Sequence, residues 1–559
     1  MFFRERFRTP LSIAFAEVAT HNHFVLDRGG RVFNRTAPVI KLPAGAREDE
    51  HLGLLGILNS SVACFWLKQC AHCKGLRGIG GGITAEKWEQ FYQLAATVVR
   101  ETPLPKETPG KLARKLEQLS GQVAALSPAA ALQDSSRSAA TLSAAELETK
   151  ALRDRLVALQ EELDWECYRL YGLIPDDLTY HGPDLPGLAL GERAFEIALA
   201  RDLAAGTTTT TWFERHRSTP ITVIPAHWPK AYRDLVQRRI DVIAQNPEIR
   251  LIEVPEYKRR WNVEPREQQV QTALRRFLLD RMEDAAFWRE PHLSTTARFA
   301  DQLRHDADFV QVAGLYRGRA DFDFDALVRE LVEAEGVPFL PVLRYKGEGL
   351  VKRTVWERTW DLQRQEDAID ARTALPEGHA DHLTPVQAKA EKQQQVGSIP
   401  VPPKYAAKDF LKSDYMRLRG KLDVPKERFI LYPHAERADD PSPVFTWAGF
   451  DHLQQARALA TWLIHRKEED GWQGERLVPL YAGLHQLLPW LKQWHNDVDP
   501  ESNQRLGDYF AGFLDQELRA QGLTVEHLTA WKPPARGRGR RARTVRTSDP
   551  NRVSEPGED

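Results

Sequence analysis

Glu256-Tyr257-Lys258 places a carboxylate two residues before a lysine, which is half of a pattern used by metal-dependent nucleases. In such a site the carboxylate holds a divalent cation, which activates water against a phosphodiester. Asp241 could supply the second metal-binding carboxylate. Glu-x-Lys is short, however, and recurs by chance in charged chains. The adjoining Lys258-Arg259-Arg260-Trp261 suits a different task. Three cations can grip phosphates, and an indole can stack on a base or on a guanidinium. A solvated basic turn has the same composition. With Lys68 and Lys74, these four residues form the candidate DNA-contact set. The late arginines Arg536, Arg538, Arg540, Arg541, Arg543 and Arg546 could add salt-sensitive attraction to nucleic acid or simply solubilise the end of the chain.

Other short patterns carry less. His21-Asn22-His23 spells the name of a nuclease family whose named residues are far apart in sequence, so three in a row is uninformative. Cys70-Ala71-His72-Cys73 has one metal-type spacing but no second ligand pair to complete a structural zinc site. Gly78-Ile79-Gly80-Gly81-Gly82 lacks the Lys-Ser/Thr of a phosphate-binding loop and reads as a flexible connection. No metal site is expected from these residues.

The elements that must position the basic cluster can be read from hydrophobic spacing. Phe24-Val25-Leu26, a turn at Asp27 to Gly30, and Arg31-Val32-Phe33 read as a hairpin, and Val39 to Leu42 as another strand. Leu54, Leu55, Leu58, Val62, Phe65 and Trp66 follow helical spacing. Leu112, Leu116, Leu119 and Val123 form one heptad-like stripe and Leu152, Leu156, Leu159 and Leu163 a second. With an Ala/Ser/Thr-rich loop over 127–142 and a capping box at Ser143 to Glu146, the pair reads as a helical hairpin. Ile221 to Ile224 and Leu251 to Val254 read as strands, and Pro265 to Trp288 as an amphipathic helix. The fold class is therefore mixed α+β, multidomain and helix-rich. Its expected parts are a partial target-recognition region over 1–105, a helical hairpin over 106–165 and an α/β middle domain over 166–390. A helical C-terminal domain over 391–530 and a disordered basic tail over 531–559 follow.

With 559 residues, 42% of them hydrophobic, the chain can build several cores. A formal net charge of -1 excludes binding of nucleic acid by bulk charge, so any DNA surface must be a local basic patch. Four cysteines at this length fit a reducing cytoplasm better than a disulfide framework. No apolar run reaches a membrane span, and Glu5 and Glu17 argue against a signal peptide, so no membrane partner is expected. The abrupt extended start suggests an internal fragment of a longer protein.

Longer segments are more specific. Gly56-Ile57-Leu58-Asn59-Ser60-Ser61-Val62-Ala63-Cys64-Phe65-Trp66-Leu67-Lys68-Gln69 resembles the recognition-domain segment of adenine methyltransferases. Trp88-Glu89-Gln90-Phe91-Tyr92 and Thr102-Pro103-Leu104-Pro105 resemble the close of that region, and His23 to Gly30 with Phe33-Asn34-Arg35 fits its start. Val254-Pro255-Glu256-Tyr257-Lys258-Arg259-Arg260-Trp261-Asn262 and Trp490-Leu491-Lys492-Gln493-Trp494-His495-Asn496-Asp497 resemble the PglX-type methyltransferases of bacterial phage-exclusion (BREX/Pgl) systems. The resemblance implies S-adenosylmethionine-dependent methylation of adenine N6 in double-stranded DNA, on a base flipped against an aromatic residue of an Asn-Pro-Pro-Tyr-type motif. That motif is absent here, and Asn246-Pro247-Glu248-Ile249 comes nearest without the second proline or the aromatic. No glycine-rich loop follows an early strand, so no catalytic or cofactor residue carries over and this chain alone is expected neither to bind S-adenosylmethionine nor to be active. The expectation is a DNA-recognition and assembly portion that works with a separate catalytic half and other phage-exclusion proteins. A non-enzymatic DNA-binding scaffold and, behind it, a metal-dependent nuclease are the alternatives.

Overall fold

A computed structural model describes residues 11–29, 31–75, 86–133, 138–261, 263–419, 426–500 and 503–534. The Gly78–Gly82 cluster and the late arginines lie outside the described residues. The chain forms two compact units, Met1–Phe277 and Leu278–Asp559.

The first unit opens on two small antiparallel sheets. β1 (Ser12–Phe15) lies between β3 (Phe24–Asp27) and β4 (Val39–Ile40), while β6 (Phe91–Gln93) lies between β2 (Val18–Ala19) and β5 (His72–Gly75). The period-2 pattern of β3 explains its orientation: Phe24 and Leu26 are buried and Val25 is exposed. The expected hairpin between 24–26 and 31–33 does not form. The fully buried β1 is the better partner for an apolar edge, and it pairs Phe15 with Phe24 and Ile13 with Leu26.

Two helices follow, Glu48–Leu58 and Ser61–Cys70, separated at Asn59-Ser60. Ser60 ends one and starts the other: its Oγ accepts from the Ala63 amide at 3.2 Å, a side-chain N-cap. The leucine stripes meet as expected, with Leu119, Leu156 and Leu159 buried between the helices Gly110–Ala125 and Ala139–Leu170. The long helix begins earlier than the capping box suggested. Ser138 accepts from the Thr141 amide, which leaves Ser143 to Glu146 inside the helix, and Pro128–Ala131 makes a short helical turn where a loop was expected.

Two expected strands are not strands. Ile221 to Ile224 is irregular. Leu251 and Ile252 close a short helix, Pro247–Ile252, because Asn246 Oδ1 accepts from the Glu248 and Ile249 amides and Pro247 stands at its first position. That cap outweighs the β-branched character of the following residues.

The second unit holds a four-stranded sheet that the sequence reading missed. Its order is β7 (Ser294–Thr295), β10 (Val444–Trp447), β9 (Phe429–Leu431), β8 (Gly336–Pro338), with β8 and β9 parallel. Helices His452–Glu468, Val478–Trp494 and Leu506–Gln521 form the expected helical core, with Leu463, Leu480, Leu484 and Leu514 fully buried within it. Among the described residues no helix is long and apolar enough to cross a membrane.

Candidate nucleic-acid interface

The segments 20–28, 56–69 and 254–261 are far apart in sequence and converge in the first unit. Asparagines join the first two. Asn22 Nδ2 donates to the carbonyls of Leu58 (2.7 Å) and Ser60 (3.0 Å). Asn59 brackets Phe24, accepting from its amide and donating to its carbonyl, each at 3.0 Å. A break between two helices exposes backbone carbonyls, and a buried amide side chain is the group that can satisfy them.

The long helix Ala139–Leu170 carries Gln160, Glu161, Glu162 and Asp164 on its buried side. Four buried polar residues in one helical stretch require partners. Asp164 takes the Ser61 amide (2.8 Å) and hydroxyl (2.7 Å), and Gln160 donates to the Asn59 carbonyl (3.1 Å). Glu162 pairs with the buried Arg239 at 2.7 Å.

Lys258 completes this network. Its ammonium lies 2.8 Å from Asp164, 2.8 Å from Glu253 and 3.6 Å from Glu161, and its side chain is 1% exposed. Tyr168 donates its hydroxyl to Glu253 at 2.5 Å. The carboxylates, Asp164 first, hold the Lys258 pKa above its usual range against the cost of burial. Burial pushes the Glu253 carboxyl up, aided by repulsion from Glu161 and opposed by Lys258. Lys258 is thus a structural anchor, which corrects its expected role as a phosphate contact. It also separates the nuclease pair, since Glu256 stays near the surface, 3.9 Å from Lys87, while Lys258 turns inward. Asp241 lies on the helix Lys230–Gln245, where it accepts from Gln237.

The main chain around Lys258 is fixed by three donors. Lys68 donates to the Glu256 carbonyl (2.5 Å), His21 Nε2 to that of Tyr257 (3.1 Å) and Arg193 to that of Arg259 (2.7 Å). Lys68 is itself buried, close to the rings of Tyr92 and Tyr257, so it too supports the segment rather than reaching outward. Burial lowers its pKa.

With this segment clamped, Arg259 and Arg260 are left half-buried and without a carboxylate partner among the described residues. Arg259 makes one long contact to Asn59 Oδ1 (3.4 Å) and lies 5.0 Å over the Trp261 ring. Arg260 contacts Thr20 and lies 5.6 Å over Trp88. Burial lowers both guanidinium pKa values, that of Arg259 to about 10. Burial, with Arg259 and Arg260 nearby, also lowers His23, to about 4. Burial and the charge of Lys68 lower His21 well below its ordinary value. A neutral histidine pair beside two desolvated guanidiniums that make no ion pair among the described residues leaves a local positive field. Trp261 packs against the leucine-lined hairpin and its Nε1 has no partner among the described residues. Lys74 is exposed on β5 of the neighbouring sheet.

Asn22, Asn59, Ser61, Asp164 and Glu253 were not singled out by sequence reasoning. The run Gln160-Glu161-Glu162 with Asp164, set among the leucines of a buried stripe, was the available clue. Among the described residues no group of His, Cys, Asp and Glu is placed to hold a metal ion. Asn246-Pro247-Glu248-Ile249, the nearest approach to a methyltransferase motif, is a helix cap, with Asn246 committed to two backbone amides. These residues do not fit an adenine and S-adenosylmethionine site.

Comparison with known proteins gives two matches. The chain is 46% identical over 542 residues to the adenine-specific methyltransferase PglX of Streptomyces coelicolor, an alignment covering 95% of this chain and 43% of that protein. The chain therefore spans less than half the length of this curated relative. No solved structure matches it. Residues 156–542, which include Asp164, Arg193, Glu253 and the whole basic segment, match a domain of unknown function, DUF7008, and the chain belongs to that family.

Proposed function

We propose that this chain is the DNA-recognition and assembly portion of a PglX-type adenine-N6 methyltransferase acting in bacterial phage defence, with methyl transfer carried by a separate catalytic half. The observation that carries the reading is the pair of clamped guanidiniums, Arg259 and Arg260, which make no ion pair among the described residues. A phosphodiester supplies the charge they lack, and their fixed backbone lowers the entropy lost on contact. Lys74, exposed on β5, is a further candidate contact. The 46% identity to a named adenine-specific methyltransferase supports DNA as the partner. S-adenosylmethionine belongs to the catalytic half in this reading, and the chain works in the cytoplasm.

The test is duplex DNA binding by the full chain across a salt series. Arg259→Gln and Arg260→Gln should each weaken binding and reduce the slope of log K against log salt by about 1, the loss expected for one phosphate contact. Unchanged slopes in both variants would remove the interface. Co-expression with an upstream methyltransferase subunit addresses the second half of the proposal. Adenine methylation that appears equally without this chain would refute it.

A further inference from the structure

A pocket of about 580 Å³ opens elsewhere in the first unit, between the long helix, the short helix Trp212–His216 and residues 263–269. Its walls carry Lys150, Arg153, Arg215, Arg217 and Arg266 against Glu146 and Glu264, an excess of positive charge in a chain whose net charge is -1. Two of these cations are already committed, Lys150 to Asp154 at 3.4 Å and Arg215 to Glu89 at 2.7 Å. The other three are not. Arg153 and Arg217 make no ion pair among the described residues. Arg266 donates to the Leu126 carbonyl at 3.2 Å, while its Nε is buried with no partner.

His216 is placed there as well. It lines the same pocket and is 3% exposed. Its Nδ1 donates to the Trp212 carbonyl at 2.7 Å, and its ring packs against Trp212 at 3.8 Å and Trp88 at 5.2 Å. A carbonyl can only accept, so Nδ1 carries the proton and Nε2 of the neutral ring presents a lone pair. That Nε2 is buried and has no donor. That atom has almost no accessible surface, so the ring serves as a wall of the pocket, and the three arginines carry the recognition chemistry and call for an anionic ligand. Arg217 also occupies the left-handed region at φ 53, where glycine is the usual residue. The chain keeps a guanidinium there against the local backbone preference.

We propose that this pocket binds a small phosphorylated ligand, with the phosphate on Arg153, Arg217 and Arg266. The pocket volume lies within the range that encloses ligands of this size. The arginines that line it are not those of the proposed DNA contact, although His216 and Arg260 both pack on Trp88.

Calorimetric titration of the full chain with AMP, inorganic phosphate and adenosine tests the proposal. AMP should saturate one site with a Kd below about 1 mM, and adenosine should bind about tenfold more weakly or worse. Arg153→Gln and Arg217→Gly should each weaken AMP by about tenfold. Arg217→Gly is informative because glycine adopts φ 53 freely, so the variant should melt no lower than the parent while losing ligand. AMP binding that is undetectable at about 1 mM, or indifferent to Arg153→Gln and Arg217→Gly, would overturn the proposal. So would a short DNA duplex that displaces AMP and itself depends on Arg217, since the phosphate recognised would then be a phosphodiester of DNA.

Discussion

Lys258→Met removes a cation that lies within 3.6 Å of three buried carboxylates. The ammonium is 2.8 Å from both Asp164 and Glu253 and 3.6 Å from Glu161, and the side chains are at most 1% exposed. A 2.8 Å pair is worth roughly 6 kcal/mol of Coulomb attraction at an effective dielectric of about 20, largely offset by desolvation of both ions. Once the lysine is gone, the carboxylates keep their desolvation cost and lose the compensation. The expected loss is about 3–5 kcal/mol, a large share of the stability of an ordinary domain. Hydrogen exchange across a urea series, followed on the helix Ala139–Leu170, would read this loss in the first unit even though a two-unit chain need not unfold in one step. Lys258→Met combined with Glu253→Gln should recover part of the loss, because it deletes one of the stranded charges. A phosphate-contact lysine would behave differently: stability would change by less than about 0.5 kcal/mol while the salt slope of DNA binding fell by about 1. That result would refute the assignment of Lys258 as an anchor.

Two further perturbations follow from the geometry. Burial lowers the His216 pKa from 6.5 to about 4, so the unfolded chain binds the proton more readily than the folded one. Stability from this group is complete above about pH 6.5 and is lost as pH falls toward 4, by up to about 3 kcal/mol; His216→Phe should flatten that part of a stability–pH profile. In the second unit, a Cβ on Gly349 would stand 2.3 Å from the Asp409 carbonyl oxygen, so Gly349→Ala should cost about 1–3 kcal/mol in thermal or urea melts. A variant as stable as the parent would show that this approach is not needed for folding.

Helices with long stripes were legible because their signal is local. Leu112 to Val123 and Leu152 to Leu163 state a helical period without reference to the rest of the chain, and they pack as that period requires. The four-stranded sheet was not legible for the opposite reason. Its strands are two to four residues long and come from positions between 294 and 447, too short for a pattern and joined only by tertiary pairing. Leu251 and Ile252 have strand-forming character, but a capping asparagine and a first-turn proline fixed a helix there. At the candidate site, sequence resemblance pointed to segments that the fold brings together, without assigning work within them. Lys258, Arg259 and Arg260 are alike as letters, and only the placement of Asp164 and Glu253 distinguishes the first from the other two.

That distinction bears on how a nearly neutral chain would attract DNA under the proposed function. Counting Lys258-Arg259-Arg260 as three positive charges overstates the outward field, because Lys258 sits among three acidic side chains and that buried group is net negative if all are ionised. Counting the chain as a whole, at -1, understates it, because acidic groups elsewhere do not pair with two guanidiniums that make no ion pair among the described residues. The relevant charge is what remains after internal pairing, within about a Debye length of the surface, or roughly 8–10 Å at ordinary ionic strength. On that measure Arg259 and Arg260 are the contributors in this segment, and the buried network acts by holding their backbone. Asp164→Asn should therefore weaken DNA binding without removing any cation, through loss of order in the segment, and the salt slope should stay unchanged while affinity falls. A slope that changed with Asp164→Asn would mean that the carboxylate tunes the phosphate contacts directly, and the division between anchoring and contacting residues would fail.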